Sequence, residues 1–406
     1  MFHRLQSKNL VEKCNSSLSS IRQTIIDASE KVGDNQIAWG QFLDYERSTD
    51  QTGVYGTATA VKTLALIDES DASDYIRHGI NWLLDSYSNQ KSIANKKMDW
   101  GVVYKYCYFL ESLAPNDPEI NVGSHFSDHF RKLVDRKLPD NGWGEYYYSP
   151  EYKDSDYSVA ATAMALYVLR RYIPFSKSQE GKEASLWFCN KLINTASLSK
   201  VELALSIIAL REYSQAHHDL LVIFSPLVDR LENNVKGVGR VCNLSEFSHH
   251  FTVTYEQVER ASNRYIFLPV NALVSYSLLI TNKYQTVRDY IDKTVAMCQD
   301  SISVNRAYCN PEESPRKSTV NQFWFTLLLK EYIKVRPVGK VESGFLKLKS
   351  RPRLYKIFLA LFTIVMFAIT YLLLRYFQQN QNLNFISPLW FFIVDRILSR
   401  IWKGNT

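Results

Sequence analysis

Glycine and proline are scarce in this 406-residue chain, at 15 and 12 residues, below the usual shares of about 7% and 5%. With so few turn formers and little strict apolar–polar alternation, a sheet-dominated body is not expected. Six cysteines (Cys14, Cys107, Cys189, Cys242, Cys298, Cys309) form no CxxC pair. That argues against a zinc ribbon or a redox dithiol, and the thiols read as reduced packing residues. Asn15-Ser16-Ser17 and Asn243-Leu244-Ser245 are then not expected to be glycosylated. HExxH, P-loop and GxSxG patterns are absent, removing the common metalloprotease, nucleotide-phosphate and serine-hydrolase chemistries. The first 20 residues contain no continuous apolar stretch, so a secretory leader is not expected.

A basic body is missing too. The formal charge is +7, but Lys340–Thr406 holds ten positive and two negative side chains, leaving 38 positive and 39 negative before it. No nucleic-acid partner is expected from a neutral body. The tail instead holds a long hydrophobic run, the eighteen uncharged residues Ile357–Leu374. As a helix it is about 27 Å long, close to the ~30 Å hydrocarbon core of a bilayer. Its twelve Leu, Ile, Phe and Val residues favour insertion by roughly 4–7 kcal/mol.

These features divide the chain into a cytosolic body (1–338), a basic juxtamembrane linker (339–356), a transmembrane helix (357–375) and a polar loop (376–384). Segment 385–403 is either a second short span or an interfacial amphipathic helix anchored by Trp390 and Trp402. The six positive charges from Lys340 to Lys356 place the body in the cytoplasm by the positive-inside rule. They also attract anionic lipid, at about 1 kcal/mol per charge near the surface. Membrane lipid is thus the first expected partner, with self-association through the tail a second.

Across 1–339 the recurring unit is a turn followed by an apolar helix. Twelve helices are expected: Leu10–Val32, Val54–Ile67, Ser73–Tyr87, Trp100–Leu113, Ser124–Leu138, Tyr157–Tyr172, Lys182–Ile193, Ser199–Tyr213, Asp219–Asn234, Phe267–Ile280, Thr286–Ile302 and Ser318–Ile333. Every second one, from Val54 onward, carries less charge. Six hairpins with apolar inner and amphipathic outer helices are the simplest packing of that pattern. Two copies of the unit are visible directly. Ala38-Trp39-Gly40-Gln41 precedes a helix with Thr59-Ala60 near its centre. Asn141-Gly142-Trp143-Gly144-Glu145 precedes one with Thr162-Ala163 there, and the Trp-to-Thr spacings are 20 and 19. Glycine allows the tight turn, Trp packs over it, and Ser or Thr caps the incoming helix.

Asp140-Asn141-Gly142-Trp143-Gly144-Glu145 followed by S-x-x-A-T-A-x-A-L resembles the DGGWGE…SQTAWAL repeat of squalene and hopene cyclases. The resemblance spans roughly residues 35–335 and is clear in two repeats. That superfamily includes the protein prenyltransferase β subunits. It implies an all-α fold, an (α/α)6 toroid of six helix hairpins around a central funnel, here followed by the C-terminal membrane segment.

The chemistry of the family is not carried over. The chain has no DxDD for protonating an alkene and no DDxxD for metal-bound diphosphate. It has no Asp-x-Cys of prenyltransferase zinc sites, no Cys-His pair of lanthionine cyclases and no GCGEQ thioester. Asp68-Glu69-Ser70-Asp71 and Asp154-Ser155-Asp156 are the nearest acidic clusters, and the first suits a helix end. His125 and His129, at i and i+4, read as an exposed outer face. His217-His218 read as a helix N-terminus, and His249-His250 as part of a long loop. No metal and no cofactor is expected.

A funnel mouth would be lined by aromatics such as Tyr104, Tyr106, Tyr108 and Tyr146-Tyr147-Tyr148, whereas Trp39 and Trp143 read as packing residues of the repeat. The expected ligand-binding residues are Asp99, Trp100, Glu145, Tyr146 and Asp156. Three functions remain, with the first favoured. One is a module sensing a small-molecule or protein ligand in the toroid cavity and coupled to the tail. The architecture is similar to bacterial defence effectors that join a soluble sensor to a small membrane tail. The second is a membrane-bound cyclase or transferase on an isoprenoid or lipid-like substrate. The third is a membrane-recruitment scaffold.

Overall fold

The computed structural model describes residues 2–40, 43, 53–67, 72–90, 101–113, 115–117, 119–149, 152–153, 156–236, 248–253, 264–303 and 318–335. The linker, the apolar run and everything after it lie outside these residues, as do Asp99 and Trp100. The chain divides into a compact unit Met1–Val335 and a second unit Arg336–Thr406. No helix among the described residues is long and apolar enough to cross a membrane.

The compact unit is mostly helical. In chain order it comprises α1 (Phe2–Asp27), β1 (Glu30–Gly33), β2 (Gln36–Ala38), α2 (Val54–Ile67), α3 (Ser73–Gln90), α4 (Val103–Ser112) and α5 (Ser127–Val134). Then come β3 (Tyr147–Ser149), β4 (Tyr152–Lys153), α6 (Val159–Leu169), the single turn α7 (Ile173–Ser176), α8 (Gln179–Asn194), α9 (Lys200–Ala216) and α10 (His218–Val235). Last are β5 (Ser248–Val253), β6 (Arg264–Pro269), α11 (Val270–Ile280), α12 (Arg288–Ser303) and α13 (Thr319–Val335). The strands form three two-stranded antiparallel ribbons, β1–β2, β3–β4 and β5–β6. None was expected from the sequence. Each is short and sits in a connection, where pairing two extended segments satisfies backbone groups that no helix takes up.

The expected alternation of helix character holds. Helices α2, α4, α6, α9, α11 and α13 are buried along most of their length. Their partners are amphipathic. In α10 the buried residues Leu220, Phe224, Leu227, Val228, Leu231 and Val235 follow the three-and-four spacing of one face. Local signals set several ends. Ser199 and Glu202 form a reciprocal capping box at the start of α9, and the Ser158 hydroxyl caps α6 by accepting from Ala161 N–H at 3.4 Å. Helix α11 begins at Val270 rather than Phe267 because β6 continues to Pro269, which lacks an N–H and holds its predecessor extended.

The buried helices pack in succession: α2 on α4, α4 on α6, α6 on α9, α9 on α11, α11 on α13, and α13 on α2. Helix α1 lies against α2, α12 and α13. Where contacts at their ends are seen, neighbouring buried helices point the same way. At the starts of α4 and α6, Val103 N–H donates to Glu145 O at 2.9 Å. At the opposite end, Arg211 Nε of α9 donates to Ile280 O of α11 at 2.8 Å, and Lys330 Nζ of α13 donates to Leu66 O of α2. The longest connections, 28–53, 135–158 and 236–269, all lead into the start of a buried helix. The return from α9 to α10 is His217 alone.

The two visible repeats share one clasp. Trp143 N–H donates to Thr162 Oγ1 at 3.0 Å, the Thr162 hydroxyl donates to Trp143 O at 3.2 Å, and the indole Nε1 donates to Leu133 O of α5 at 2.8 Å. In the first repeat Trp39 N–H meets Thr57 Oγ1 at 3.0 Å, Thr57 returns a bond to Trp39 O at 3.4 Å, and the indole reaches Ile25 O of α1 at 2.7 Å. The counterpart of Thr162 in this clasp is Thr57, whereas the alignment of the two repeats set Thr59 opposite Thr162. The Thr59 hydroxyl donates to Tyr55 O of its own helix at 2.8 Å. Valine at Thr57 or Thr162 is expected to cost about 1–2 kcal/mol in denaturant unfolding, and at Thr59 under about 1, because only the first two leave a clasp unsatisfied.

Glycine serves here mainly for closeness. A Cβ on Gly56 would lie 2.3 Å from Gly40 O, so α2 could not sit on the turn. The left-handed position in the second turn belongs to Asn141 (φ 73°), a residue type that tolerates it.

Candidate functional site

Glu145 and Tyr146 sit together at the junction where α4 and α6 begin. Glu145 O accepts from Val103, its carboxylate accepts from the Ser158 hydroxyl at 3.3 Å, and Tyr146 pairs with Val102 in an isolated antiparallel bridge. Both residues thus tie two buried helices to one another at their starts. Asp156 is exposed at the end of the connection into α6.

The tyrosines of α4 divide between two faces, as a 3.6-residue period requires. Tyr106 turns towards α5, donating to His129 O at 3.0 Å beneath the Arg136 guanidinium, 4.0 Å from its ring centre. Tyr104 and Tyr108, one turn apart, face the other way. Their hydroxyls are 3.1 Å apart, and Trp324 Nε1 of α13 donates to Tyr108 OH at 3.0 Å. The rings of Tyr55 and Phe323 stand edge-to-face against Tyr108 at 5.0 and 5.8 Å. Trp324 also approaches Tyr167 of α6 at 6.3 Å. These rings are all buried and pack against one another between the helices. Burial, and then the neighbouring phenols, push Tyr55 and Tyr104 well above the usual phenol range, and the same causes act on Tyr108. The cluster is neutral and bonds through hydroxyl groups.

At the other end of the same helices lies an ionic node. Glu111 of α4, 1% exposed, faces Lys62 Nζ of α2 at 3.2 Å, Arg170 at 3.5 Å and Arg171 at 3.3 Å. Arg171 also donates to Asp117 O at 2.7 Å, and Lys62 to Pro115 O at 2.8 Å. Arg170 lies over the Tyr167 ring at 3.7 Å and pairs with Glu212 at 3.2 Å. Burial alone would raise the Glu111 pKa, but the three cations together outweigh it and hold it at about 2. Lys62 moves down, because burial and the two guanidinium groups outweigh its single carboxylate. The sequence did carry a signal for this node: Lys62 is the one charge of α2, Glu111 is one of two charges on the mostly apolar α4, and Arg170-Arg171 follows α6 directly.

No protein-family model and no curated protein matches this chain.

Histidine and cysteine chemistry finds little support in the geometry. Among the described residues no group of three or more His, Cys, Asp and Glu is placed to hold a metal ion. His129 does not lie on an open face as expected; its ring packs against Tyr87 and Phe109 at 5.0 and 5.5 Å, while His125 is exposed. His217 is the N-cap of α10, as read from the sequence. His249 and His250 lie on β5, paired with Leu268 and Phe267, rather than in a loop. Cys14, Cys107 and Cys189 are buried. Burial pushes the Cys189 thiol up to about 12 and Cys107 higher still, which suppresses the thiolate.

Proposed function

We propose that this chain is a membrane-held binding module. In this reading the six buried helices form the inner ring of an (α/α)6 toroid, and the partner helices form the outer ring. The toroid senses a small-molecule or protein ligand and is coupled to the C-terminal tail. The packing of α13 on α2 supports closure of the ring. The tail's uncharged run and its basic flank support membrane attachment, with the body on the cytoplasmic side.

The observation that carries a binding role over a catalytic one is the Tyr55–Tyr104–Tyr108–Trp324 cluster. It presents neutral rings between the buried helices, and the carboxylate beyond it, Glu111, is held ionised by three cations. A general acid must hold a proton at working pH, and Glu111 does not.

Vesicle flotation tests the membrane part. The full chain is expected to float with vesicles even in high salt, whereas a chain ending at Val335 stays in solution. Glutamine at Lys347, Lys349, Arg351 and Arg353 should remove the preference for anionic vesicles and leave insertion intact. A truncated chain that floats as well as the full one would overturn membrane attachment through the tail.

A further inference from the structure

We infer that the end of the compact unit at which the buried helices terminate lies against a bilayer, with Val122, Leu221 and Val222 as the side chains that meet lipid. This rests on the reading of the chain as membrane-held and names the surface of the body that faces the membrane.

The ends of the buried helices share one side of the unit. Lys62, in the second half of α2, meets Glu111 near the end of α4 at 3.2 Å, and Arg171, just past α6, meets Glu111 at 3.3 Å. Tyr213 of α9 donates to Leu166 O of α6 at 3.3 Å, and Glu212 of α9 pairs with Arg170 at 3.2 Å. Lys330 of α13 reaches Leu66 O of α2. Val335, the last residue of α13 and of the unit, is therefore on this side as well. The uncharged run of the tail starts 22 residues further on, at Ile357. A tail held in a bilayer keeps this end of the body close to lipid.

The same side carries the most open apolar side chains among the described residues. Val122 is 74% exposed, Val222 64% and Leu221 42%. Val122 lies in the connection after α4, which bonds the segment after α6 through Ile120 N–H to Arg171 O at 2.6 Å. Leu221 and Val222 are among the first five residues of α10, which is entered from the end of α9 through His217. An exposed apolar residue standing singly is ordinary on any protein. These three stand together at the end from which the chain leaves for its apolar run. The carboxylates nearest to them in sequence are paired, Glu119 with Lys177 at 3.1 Å and Asp219 with Lys182 at 2.9 Å. Neither brings an unpaired charge to the face, which suits the interface of a neutral phospholipid bilayer. Three side chains are too few to hold the body on lipid by themselves. Tethering through the tail raises their effective concentration at the surface, so the face orients the body and does not capture it.

The test uses full-length protein reconstituted into phosphatidylcholine vesicles, which leave the basic linker no anionic lipid to bind. Val122→Cys, Val222→Cys and Val32→Cys are spin-labelled one at a time, with the unsubstituted protein labelled in parallel as baseline. Val32 is the control: it is exposed too, but lies in β1, on the connection into the start of α2. Oxygen concentrates in lipid and a nickel chelate stays in water. The ratio of label collisions with oxygen to those with the chelate is expected to be higher at 122 and 222 than at 32. Leu221→Asp combined with Val222→Asp should abolish that difference at 122, because aspartate resists entry into lipid. The proposal is overturned if the labels at 122 and 222 stay in water, if 32 is as lipid-exposed as they are, or if the double variant leaves 122 unchanged. Labels at 222 that broaden one another, and sharpen when diluted with unlabelled protein, would assign the face to a second copy and overturn it too. Intact flotation with these labels in water defeats this inference alone. A full-length chain that does not float defeats the membrane reading with it.

Discussion

Glutamine in place of Glu111 is expected to lower the stability of the full-length protein by about 3–5 kcal/mol in chemical denaturation. The side chain is almost fully buried, and it is the shared counter-ion of Lys62, Arg170 and Arg171. Removing its charge leaves three cations in a poorly solvated place. Those cations also serve the chain ends nearby, since Arg171 and Lys62 satisfy carbonyls of 113–117 beyond the end of α4. Loss of the node therefore loosens the ends of α2, α4 and α6 together.

The same residue predicts a pH dependence with a definite sign. The folded pKa, about 2, lies below the ordinary value of 4.5. The folded state thus binds its proton less readily than the unfolded state does. The stabilisation is complete above roughly 4.5 and disappears as pH falls towards 2. A melting series across that interval should show a steeper acid decline for the parent than for Glu111→Gln. Lys62→Met should behave differently, changing stability by less than about 1 kcal/mol. Its ammonium is held against burial and two like charges, so replacing it removes a cost along with a bond. Equal losses at Lys62 and Glu111 would contradict this account of the node.

Alanine at Trp143 is expected to cost about 3–5 kcal/mol, on the scale of other large-to-small changes in a packed interior. Trp143 is fully buried against Phe175, at 6.2 Å between ring centres. Its indole bonds α5 and its backbone clasps Thr162 of α6. It therefore joins an amphipathic helix, a turn and a buried helix. In a repeat architecture each unit leans on its neighbours, so damage should begin locally. Hydrogen exchange of the variant should show α5 and α6 losing protection before α10 and α11. Uniform loss across all helices would instead indicate a single cooperative core.

Much of the local structure was legible because helices obey a short-range code. The alternation of apolar and amphipathic segments, the capping box at Ser199 and the turn at Asn141-Gly142 all follow from residues within one or two turns of each other. The Trp–Gly turn was legible as a repeat, but aligning the two copies matched Thr59, not Thr57, with Thr162. Thr57 and Thr59 both lie in the same apolar stretch, and the close seating of α2 on the Trp39-Gly40 turn brings Thr57 to it. Glu145 and Tyr146 were read as ligand-binding residues; the structure shows them bonding neighbouring elements where α4 and α6 begin.

What the sequence by itself determined is which segments are helices, which of them are buried, and where the net charge resides, since each depends on composition and period along the chain. What only the tertiary structure decided is which buried side chains meet. Trp324 and Tyr108 are 216 residues apart and share a hydrogen bond, and Arg171 finds Glu111 from 60 residues away. No periodicity encodes such pairs. They arise from the rotation of each helix about its axis, and that rotation is fixed only when the helices pack together and every buried polar group competes for a partner.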